Sequence, residues 1–487
     1  MAYYRILDDA IVMDDNTFSG ATSASLQAIF NQAVSNGLPL VARPGVYNAA
    51  NISVTGPISV RGVPGKVTFR MTAGASGILY LGAFEKAEFY GIIFDGDGQS
   101  FTNDTLLQPS QGLVNMRKDS GSLISKADFN TCTFINSTQC GIGVNECRLL
   151  VTDCEFANCA LKSIGVIATD GANVRDSRFE DQDYALHFSP GASTNVSVEN
   201  NVVRRCRRNG IAFEPSGSVK INKNISVVNN KVEKLISDDT WAVSRTNPAS
   251  TGAEGNGILT YLCENVVIEG NDVSDCEFSA IRSNVTSQIT VTGNICRGSG
   301  ETALYVETVG ISVGEFGATV TSNVVYGGGA GISVVNFDFN GRFSTISNNV
   351  VRDITVRTIT YSGGSYGTSG SGIYVEADTA VIGNSIQNTH FGLVLGTNTY
   401  TSDLNATGNV IRQTTLGIGV ASSTPKDVLI SSNLIAGFSS GAIKSVTYTG
   451  SGTPPYSIVG AELCPANLGS SNVGNVHIIG NVRRASL

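Results

Sequence analysis

Apolar residues alternate with other residues in short runs along most of the chain, and these runs recur at a regular spacing. Between Asn256 and Glu307, the segments NGILTYL, SAIRSNV and TALYVET each carry aliphatic residues at alternate positions after a small residue. Such alternation predicts β-strands that bury one face. The intervening runs VIEGND and ITVTGN each contain a Gly-Asn pair, which favours a tight turn. The pattern therefore predicts a repeated unit of strand, turn, strand and turn.

A small residue recurs near the start of twelve of these strands. The twelve are Gly141, Ser163, Ala185, Gly210, Gly257, Ala280, Ala303, Gly331, Gly372, Gly392, Gly417 and Ala442. Most successive separations lie between 20 and 28 residues, and two are longer, at 47 and 41 residues. A period of this length, interrupted by turns, is typical of a solenoid whose coils bury their apolar faces by stacking. We therefore predict an all-β chain folded as a right-handed parallel β-helix.

A second set of recurring residues supports this prediction independently. An asparagine follows an apolar strand at Asn201, Asn230, Asn271, Asn294, Asn323, Asn349, Asn384, Asn409 and Asn433, and Ser177, Cys154 and Cys132 hold the equivalent places upstream. An asparagine at the same turn of every coil can bond to the asparagines above and below it, or to local backbone. We expect these asparagines to be structural.

A helical pattern precedes the strands at residues 22–36, and Gly37 ends it. Its apolar face carries Leu26, Ile29, Phe30 and Ala33. We expect this helix to cover the open end of the first coil, where strand edges would otherwise be unpaired. The predicted organisation is an N-terminal lead with the capping helix at 1–60, the β-helix at 61–446 with loop insertions at 236–255 and 356–370, and a C-terminal loop with a last partial coil at 447–487.

Composition narrows the classes of function. The 487 residues carry a net charge of −8, and only 15% are charged. This balance argues against a nucleic-acid groove, which needs clustered Lys and Arg. An apolar run of 18 residues is absent from the sequence, so we expect no membrane span. The ten cysteines include no CxxC pair and recur about once per coil, which predicts buried thiols in a chain folded in a reducing compartment.

Two segments resemble known families. DDNTFSGATSASLQAIFNQAVSNGLPLVARPGVY resembles the opening of pectate-lyase-superfamily proteins, in which a capping helix precedes a strand ending in Pro-Gly-x-Tyr. NGILTYLCENVVIEGNDVSDCEFSAIRSN, GETALYVE, GISVVNF and GIYVEADTAVIGN resemble a family of secreted, functionally uncharacterised β-helix repeat proteins, many of which bear a twin-arginine signal. The second resemblance covers most of residues 20–445. It implies the fold and an extracellular, cell-surface or virion-associated setting, although MAYYRILDDAIVMDD contains no export signal.

Residues between the buried aliphatic positions of the repeated strand should point outward. One outward column reads Gly143, Gly165, His187, Ala212, Leu259, Arg282, Tyr305, Ser333, Tyr374 and Val394. The next reads Asn145, Ile167, Ser189, Glu214, Tyr261, Asn284, Glu307, Val335, Glu376 and Gly396, and a third contains Lys162, Tyr184, Asn209, Asn256, Ser279 and Thr302. From His187 to Glu376 these columns are rich in Tyr, Glu, Arg and Asn, and they predict a strip about 30 Å long that binds an oligosaccharide.

The two long loops should form walls beside this strip. The first contains Trp241, Arg245 and Glu254, and the second contains Tyr361 and Tyr366. The predicted substrate-binding residues are His187, Tyr184, Glu214, Asn256, Asn284, Trp241, Arg245 and Tyr374. No metal ligand is predicted, because Glu301, Glu277 and Asp275 could hold Ca²⁺ but lack a diagnostic spacing.

The favoured hypothesis is a lyase that cleaves an acidic, uronate-containing exopolysaccharide by β-elimination. That reaction needs a cation for the uronate carboxylate, a base and an acid. An outward-facing Arg282 would neutralise the carboxylate, and Tyr305 or Tyr261 would transfer the protons. Two alternatives stay open. Glu307 and Glu376 could serve an inverting glycoside hydrolase, and a non-catalytic spike or adhesin, which as a spike would be a homotrimer, could simply bind the glycan.

Overall fold

The computed structural model describes sixteen segments of the chain. They are residues 4–6, 9–13, 23–82, 85–102, 111–117, 125–215, 221–235, 254–308, 317–336, 343–361, 364–397, 400–421, 426–450, 454–463, 471–473 and 475–486. The chain forms two compact units, Met1–Lys231 (unit 1) and Val232–Leu487 (unit 2).

Unit 1 contains the one α-helix found in the described residues, Ser23–Asn36, and a succession of short strands. The strands are Tyr4–Ile6, Ile11–Met13, Leu40–Ala42, Gly45–Ala49, Ile52–Val54, Ile58–Arg61, Val67–Met71, Leu79–Gly82, Lys86–Tyr90, Ile92–Asp95, Gly112–Arg117, Lys126–Asn130, Thr133–Ser137, Cys140–Asn145, Arg148–Thr152, Glu155–Cys159, Lys162–Ala168, Ala172–Arg175, Arg178–Phe188, Thr194–Glu199, Val202–Phe213 and Asn222–Val228. Nearly all of their pairings are parallel, beginning at Ile11, which pairs with Leu40.

The helix buries the face that the sequence predicts, with Leu26, Ile29, Phe30 and Ala33 all inaccessible to solvent. The ring of Phe30 packs edge-on against Phe69 at 6.1 Å between centroids. The Gln27 side chain accepts a hydrogen bond from the backbone N–H of Ser53 and donates one to its carbonyl, which binds the helix to a strand edge. The predicted capping helix is therefore confirmed.

The interior of unit 1 also contains a stack of phenylalanine rings that the sequence analysis did not anticipate. Phe134 lies parallel to Phe156 at 4.7 Å, and Phe156 lies parallel to Phe179 at 4.8 Å. The rings come from equivalent positions of successive coils, in the segments TFIN, EFAN and RFED. Repetition of the coil therefore places identical side chains directly over one another.

Unit 2 continues the same pattern of short strands. They are Lys231–Leu235, which begins at the last residue of unit 1, Ile258–Glu269, Asp272–Cys276, Ile281–Thr292, Ile295–Arg297, Thr302–Glu307, Ala318–Thr321, Val324–Tyr326, Ala330–Val335, Ser344–Ser347, Val350–Ile354, Thr358–Tyr361, Gly364–Gly367, Ser371–Val375, Thr379–Ile382, Ser385–Leu395, Ser402–Thr407, Val410–Val420, Lys426–Ser431, Leu434–Tyr448, Tyr456–Glu462, Ser471–Val473, Val476–Ile479 and Val482–Arg484.

Within each unit the pairing register stacks the residues of the predicted column over one another, although Ala212 and Leu259, predicted to point outward, are buried. In unit 1, Gly165 pairs with His187 and His187 with Ala212. In unit 2 the pairs include Arg282 with Tyr305, Tyr305 with Ser333, and Ser333 with Tyr374.

The asparagine ladder is present in both units. In unit 1 the Asn201 amide donates to Asn230 Oδ1 at 3.0 Å, and the backbone N–H of Ser177 donates to Asn201. In unit 2 the same bond links each asparagine to the next from Asn271 onward, at 2.9–3.0 Å. The ladder extends one step beyond the prediction, because Asn433 donates to Asn481 at 2.9 Å.

The small residues near the strand starts are required by close backbone approach. A Cβ atom added at Gly392 would lie 2.4 Å from the carbonyl oxygen of Gly417, and one added at Gly417 would lie 2.5 Å from that of Ala442. Both distances are too short for real atoms. A larger residue would therefore separate adjacent coils.

Among the described strands of unit 2, three antiparallel hairpins depart from the parallel coil, and the last of them pairs Ser471–Val473 with Val476–Ile479. Thr358–Tyr361 pairs with Gly364–Gly367, inside the predicted loop insertion. The end of Leu434–Tyr448 pairs with Tyr456–Glu462. One residue from each of these strands, Val446 and Tyr456, packs on Val394. Val394, expected to point into solvent, is therefore fully buried beneath this second hairpin.

Candidate functional site

A groove of about 550 Å³ opens on the outward face of unit 2. Its described lining residues are Glu301, Thr302, Tyr305, Ala330, Ser333, Val335, Tyr366, Gly367, Thr368, Ser369, Tyr374, Glu376, Thr397, Tyr400, Tyr448, Pro455 and Tyr456. Six of these are tyrosines and two are glutamates. We call this set of residues the tyrosine groove.

Three different elements supply the walls of the tyrosine groove. The parallel strands place Tyr305 and Tyr374 on its floor, because both occupy the outward column. Tyr366 comes from the hairpin in the predicted loop insertion. Tyr448 and Tyr456 face each other across the C-terminal hairpin with ring centroids 5.3 Å apart. Aromatic faces therefore border the groove on several sides.

Glu376 is a carboxyl of the tyrosine groove whose pKa is strongly raised. The residue is 3% exposed, accepts a hydrogen bond from the Tyr374 hydroxyl, and accepts another from the backbone N–H of Asn336 at 3.0 Å. Burial raises the pKa of Glu376 to about 7, although both hydrogen bonds act to lower it. The carboxyl can therefore hold a proton at neutral pH and release it to a bound molecule.

A second carboxyl, Glu307, lies two coils from the first, with the coil of Ser333 and Val335 between them. The Tyr305 hydroxyl donates to Glu307 Oε2 at 3.2 Å. Burial raises the pKa of Glu307, while the Tyr305 hydrogen bond and the charge of Arg282 lower it. The charge of Glu307 in turn contributes to the raised pKa of Glu376. The charge of Glu307 therefore favours the protonated form of Glu376.

Arg282 is not the outward-facing cation that the sequence predicts. It is 6% exposed, and its guanidinium carbon lies 4.8 Å from the Phe278 ring centroid and 4.1 Å from that of Tyr305. Its Nη1 lies 3.6 Å from Glu301 Oε2, an ion pair too long for a hydrogen bond. The prediction of an exposed Arg282 is wrong, because the guanidinium is buried against the rings of Phe278 and Tyr305. The site therefore lacks the accessible cation assigned to it.

Unit 1 carries a separate polar cluster, formed by Lys162, Tyr184, His187, Arg208 and Glu214. The imidazole of His187 stacks on the Tyr184 ring at 4.2 Å and 6°, and its Nε2 lies 3.0 Å from Glu214 Oε2. An ionised carboxylate only accepts hydrogen bonds, so Nε2–H donates and Nδ1 keeps its lone pair. The Arg208 guanidinium lies 5.8 Å from the Tyr184 ring centroid. We call this the His187 cluster.

Burial controls the charges of the His187 cluster. It lowers the pKa of His187, against the opposing effect of the Glu214 hydrogen bond, and it lowers the pKa of Lys162. Gly165 and Ala212 flank His187 in the outward column. Neither of these two neighbours has a bulky side chain.

The remaining predicted site residues are more scattered. Tyr261 is 38% exposed and pairs in register with Asn284, whereas Asn256 is fully buried. Trp241 and Arg245 lie outside the described residues. The structure thus brings Tyr305, Glu307, Tyr374 and Glu376 together in one place, with Arg282 packed beneath Tyr305.

Sequence reasoning missed Tyr400, Tyr448 and Tyr456. All three lie outside the repeated strand, and the last two belong to a hairpin that does not follow the coil period. The sequence feature that could have indicated them is the pair of tyrosines at residues 448 and 456, immediately after the last predicted coil. A hairpin at the end of a solenoid can fold back over its outward face.

The described residues contain neither a cluster of metal ligands nor a membrane-spanning helix. Nowhere in that part of the chain do three or more His, Cys, Asp or Glu side chains converge in a way that could hold a metal ion. None of the helical structure described there is long and apolar enough to cross a membrane. The nine described cysteines are all buried, as predicted.

Comparison with known proteins agrees with the fold. Residues 90–247 match the family described as right handed beta helix region. Together with the parallel register of both units, this match identifies a right-handed parallel β-helix protein, which confirms the predicted fold class. None of the curated proteins matches the chain.

Several solved structures are similar in fold. The A-module of a mannuronan C-5 epimerase of Azotobacter vinelandii is 14% identical, with a TM-score of 0.47 over 88% of this chain and 96% of that one. A surface adhesin of Streptococcus pneumoniae is 12% identical, with a TM-score of 0.38 over 95% and 96%. Gene product 12 of bacteriophage phi29 is 13% identical, with a TM-score of 0.44 over 88% and 53%. At such identities and TM-scores, nothing about activity follows from these structures.

Proposed function

We propose that the protein cleaves a polysaccharide by hydrolysis of a glycosidic bond in the tyrosine groove. The observation that carries this proposal is the carboxyl pair. Glu376, with its pKa raised to about 7 and its bond from Tyr374, lies near Glu307 in a groove bordered by tyrosine rings. Glycoside hydrolases commonly use two carboxyl groups in different protonation states.

The roles of the two carboxyls follow from their surroundings. Glu376, protonated near neutral pH, donates its proton to the leaving glycosidic oxygen as the bond to the anomeric carbon breaks. Glu307 accepts a proton from the water molecule that attacks that carbon. The Tyr305 hydroxyl stabilises the anionic form of Glu307, because it donates to Oε2.

The tyrosines provide the binding surface for sugar rings. Tyr448 is 41% exposed and supported by the ring of Tyr456, so it offers an aromatic face held in place by its neighbour. Sugar rings carry apolar faces that pack on such side chains, and their hydroxyls bond to phenol and carboxyl oxygens. A groove of about 550 Å³ is large enough for a small number of sugar units.

β-Elimination at Arg282 is disfavoured because two aromatic rings enclose the guanidinium. The His187 cluster supports a lyase as a second candidate function. It combines a buried lysine, a neutral histidine bonded to Glu214, and the phenol of Tyr184. Lys162 would face a uronate carboxylate, the imidazole would take the C5 proton, and Tyr184 would protonate the leaving oxygen as the C4–C5 double bond forms.

The products distinguish the two reactions. Wild-type protein, Glu376→Gln and His187→Ala would each be incubated with a panel of neutral and acidic polysaccharides. New reducing ends without the ultraviolet absorbance of an unsaturated sugar, lost in Glu376→Gln and retained in His187→Ala, support hydrolysis. Unsaturated products lost only in His187→Ala support the lyase instead. Binding without any product over a long incubation refutes both and leaves a glycan-binding spike or adhesin.

A polysaccharide substrate would place the protein outside the cell, at a cell surface or on a virion. A spike would form a homotrimer, and sedimentation equilibrium measures that directly. Monomeric behaviour at micromolar concentration would refute the trimer without affecting the proposed reaction.

A further inference from the structure

The charge of the tyrosine groove defines the class of sugar that it accepts, an inference that rests on the proposed function of this site. We propose that the groove binds uncharged sugars and excludes uronates and other anionic sugars. This proposal differs from the acidic exopolysaccharide expected from the sequence.

The composition of the lining is the first observation. Among the described lining residues there are two glutamates and six tyrosines, and none is a lysine, arginine or histidine. A bound carboxylate or sulfate needs a cation or several hydrogen-bond donors when it leaves water. Tyrosine hydroxyls and carboxyl oxygens instead match the hydroxyl groups of neutral sugars, which both donate and accept.

The state of Arg282 is the second observation. This side chain contacts the lining residue Tyr305, so it is the cation that could have served an anionic sugar at the groove floor. The guanidinium packs against the rings of Phe278 and Tyr305, and it forms an ion pair with Glu301. An incoming carboxylate would have to displace one of these partners to reach it.

The third observation concerns the carboxyls Glu301 and Glu376, which line the groove, and Glu307, which accepts a hydrogen bond from the lining residue Tyr305. Burial raises the pKa of Glu301, Glu307 and Glu376, so each already resists carrying a negative charge. A further anion close by would be repelled by whichever of these groups is ionised. It would also raise the pKa values further and disturb the division of roles between Glu307 and Glu376. A neutral sugar imposes neither penalty.

The test uses matched glycans that differ in charge alone. Uronate oligosaccharides of several linkages would be paired with the same molecules after chemical reduction of their carboxyls to primary alcohols. Binding would be measured by calorimetry on Glu376→Gln, which binds without turnover. We expect the reduced form of at least one pair to bind with a Kd at least tenfold below that of its acidic parent. Tighter binding of the acidic parents, or no binding of any reduced glycan, overturns the proposal.

A charge-gain variant provides the matched control. Thr397 lines the groove and is half-buried, so Thr397→Lys adds a cation at its rim without touching the carboxyl pair. We expect this variant to shift the ratio of neutral to acidic affinity by at least tenfold towards the acidic glycan. An unchanged ratio in a variant that melts like wild type would place glycan binding outside the groove.

The outcomes also separate this inference from the proposed reaction. If reduced glycans bind but wild-type protein never cleaves them, hydrolysis is refuted and the charge preference stands. If wild-type protein releases reducing ends from acidic glycans alone, the charge preference is refuted and hydrolysis stands.

Discussion

The Tyr374 hydroxyl donates a hydrogen bond to Glu376, two residues further along the chain, and both side chains face the tyrosine groove. Residues two apart share a face only where the strand stays extended, and Glu376 lies just beyond the strand Ser371–Val375. The backbone N–H of Asn336 secures the other carboxyl oxygen at 3.0 Å. The Glu376 carboxyl, the proposed proton donor, is therefore held from two coils, and its chemistry can be tested directly.

Replacing Glu376 by Gln should abolish turnover. Gln cannot donate a proton to the leaving oxygen, and loss of a general acid typically costs about 100-fold or more in rate. The melting temperature should not fall, because the amide keeps the shape of the side chain without its buried charge. Reducing-end release and thermal denaturation measure the two effects. A fully active variant would remove Glu376 from the mechanism.

Replacing Tyr374 by Phe should change the pH dependence of the reaction rather than abolish it. The hydrogen bond from Tyr374 lowers the pKa of Glu376, so its loss should raise that pKa above about 7. The acid then stays protonated to higher pH, and the alkaline limb of the rate profile should move upward. Tyr448→Phe is the control, because burial, Tyr374, Asn336 and Glu307 set the pKa of Glu376. If the alkaline limb of the pH–rate profile does not move in Tyr374→Phe, Glu376 is not the general acid of the reaction.

Stability should decrease as the pH rises from about 4.5 to 7. The folded chain holds the Glu376 proton up to a pKa of about 7, whereas the unfolded chain releases it near the ordinary value of 4.5. Between these values the folded state binds more protons, so raising the pH favours unfolding, by about 3 kcal/mol for this group. Urea denaturation of wild type and Glu376→Gln at pH 5 and 7.5 measures this change in the free energy of unfolding. A variant with the same pH dependence as wild type would contradict the raised pKa.

Asn294→Leu should lower stability without affecting turnover per folded molecule. Its amide donates to Ile268 O and Asn323, which are buried, and to Thr292 O, which is half-buried. Loss of buried bonds leaves polar groups unpaired at about 1–3 kcal/mol each. Asn481→Leu is the matched control at the end of the ladder, where the residue is half-buried, and it should cost less. Equal losses of stability in the two variants would show that burial does not determine how much each ladder asparagine contributes to stability.

Arg282→Ala should be strongly destabilising. Removing the guanidinium breaks a buried ion pair and two cation–π contacts, and it leaves Glu301 without its partner, at about 3 kcal/mol or more. Arg297→Ala is the control, because that side chain is 33% exposed and its pair with Asp272 should contribute less than about 1 kcal/mol. Equal melting of Arg282→Ala and wild type would mean that the guanidinium is solvated in solution.

The structural features that depend only on the length of the repeat can be predicted from the sequence. The ladder from Asn271 to Asn433 and the pairing of Arg282 with Tyr305 follow from one repeat length, because every coil places equivalent residues in register. The same repeat length is sufficient to predict that Tyr305, Glu307, Tyr374 and Glu376 are neighbours on one face.

Properties that depend on other elements were not predictable in this way. The burial of Arg282 depends on Phe278, which precedes the strand and follows no column. The burial of Val394 and the aromatic wall at Tyr456 depend on a hairpin that leaves the repeat and folds back over it. Periodicity identifies which residues point outward, but it contains no information about what then covers them.

The last step of the asparagine ladder shows how freely this architecture can vary. Asn409 and Asn433 are 24 residues apart, whereas Asn433 and Asn481 are 48 residues apart, yet both amide bonds measure 2.9 Å. The extra residues, which include the hairpin bearing Tyr448 and Tyr456, leave the coil between two ladder positions and return without disturbing either. Evolution can therefore lengthen, exchange or delete such an excursion while the stack beneath it is preserved. New specificities would then arise by insertion between coils rather than by redesign of the core.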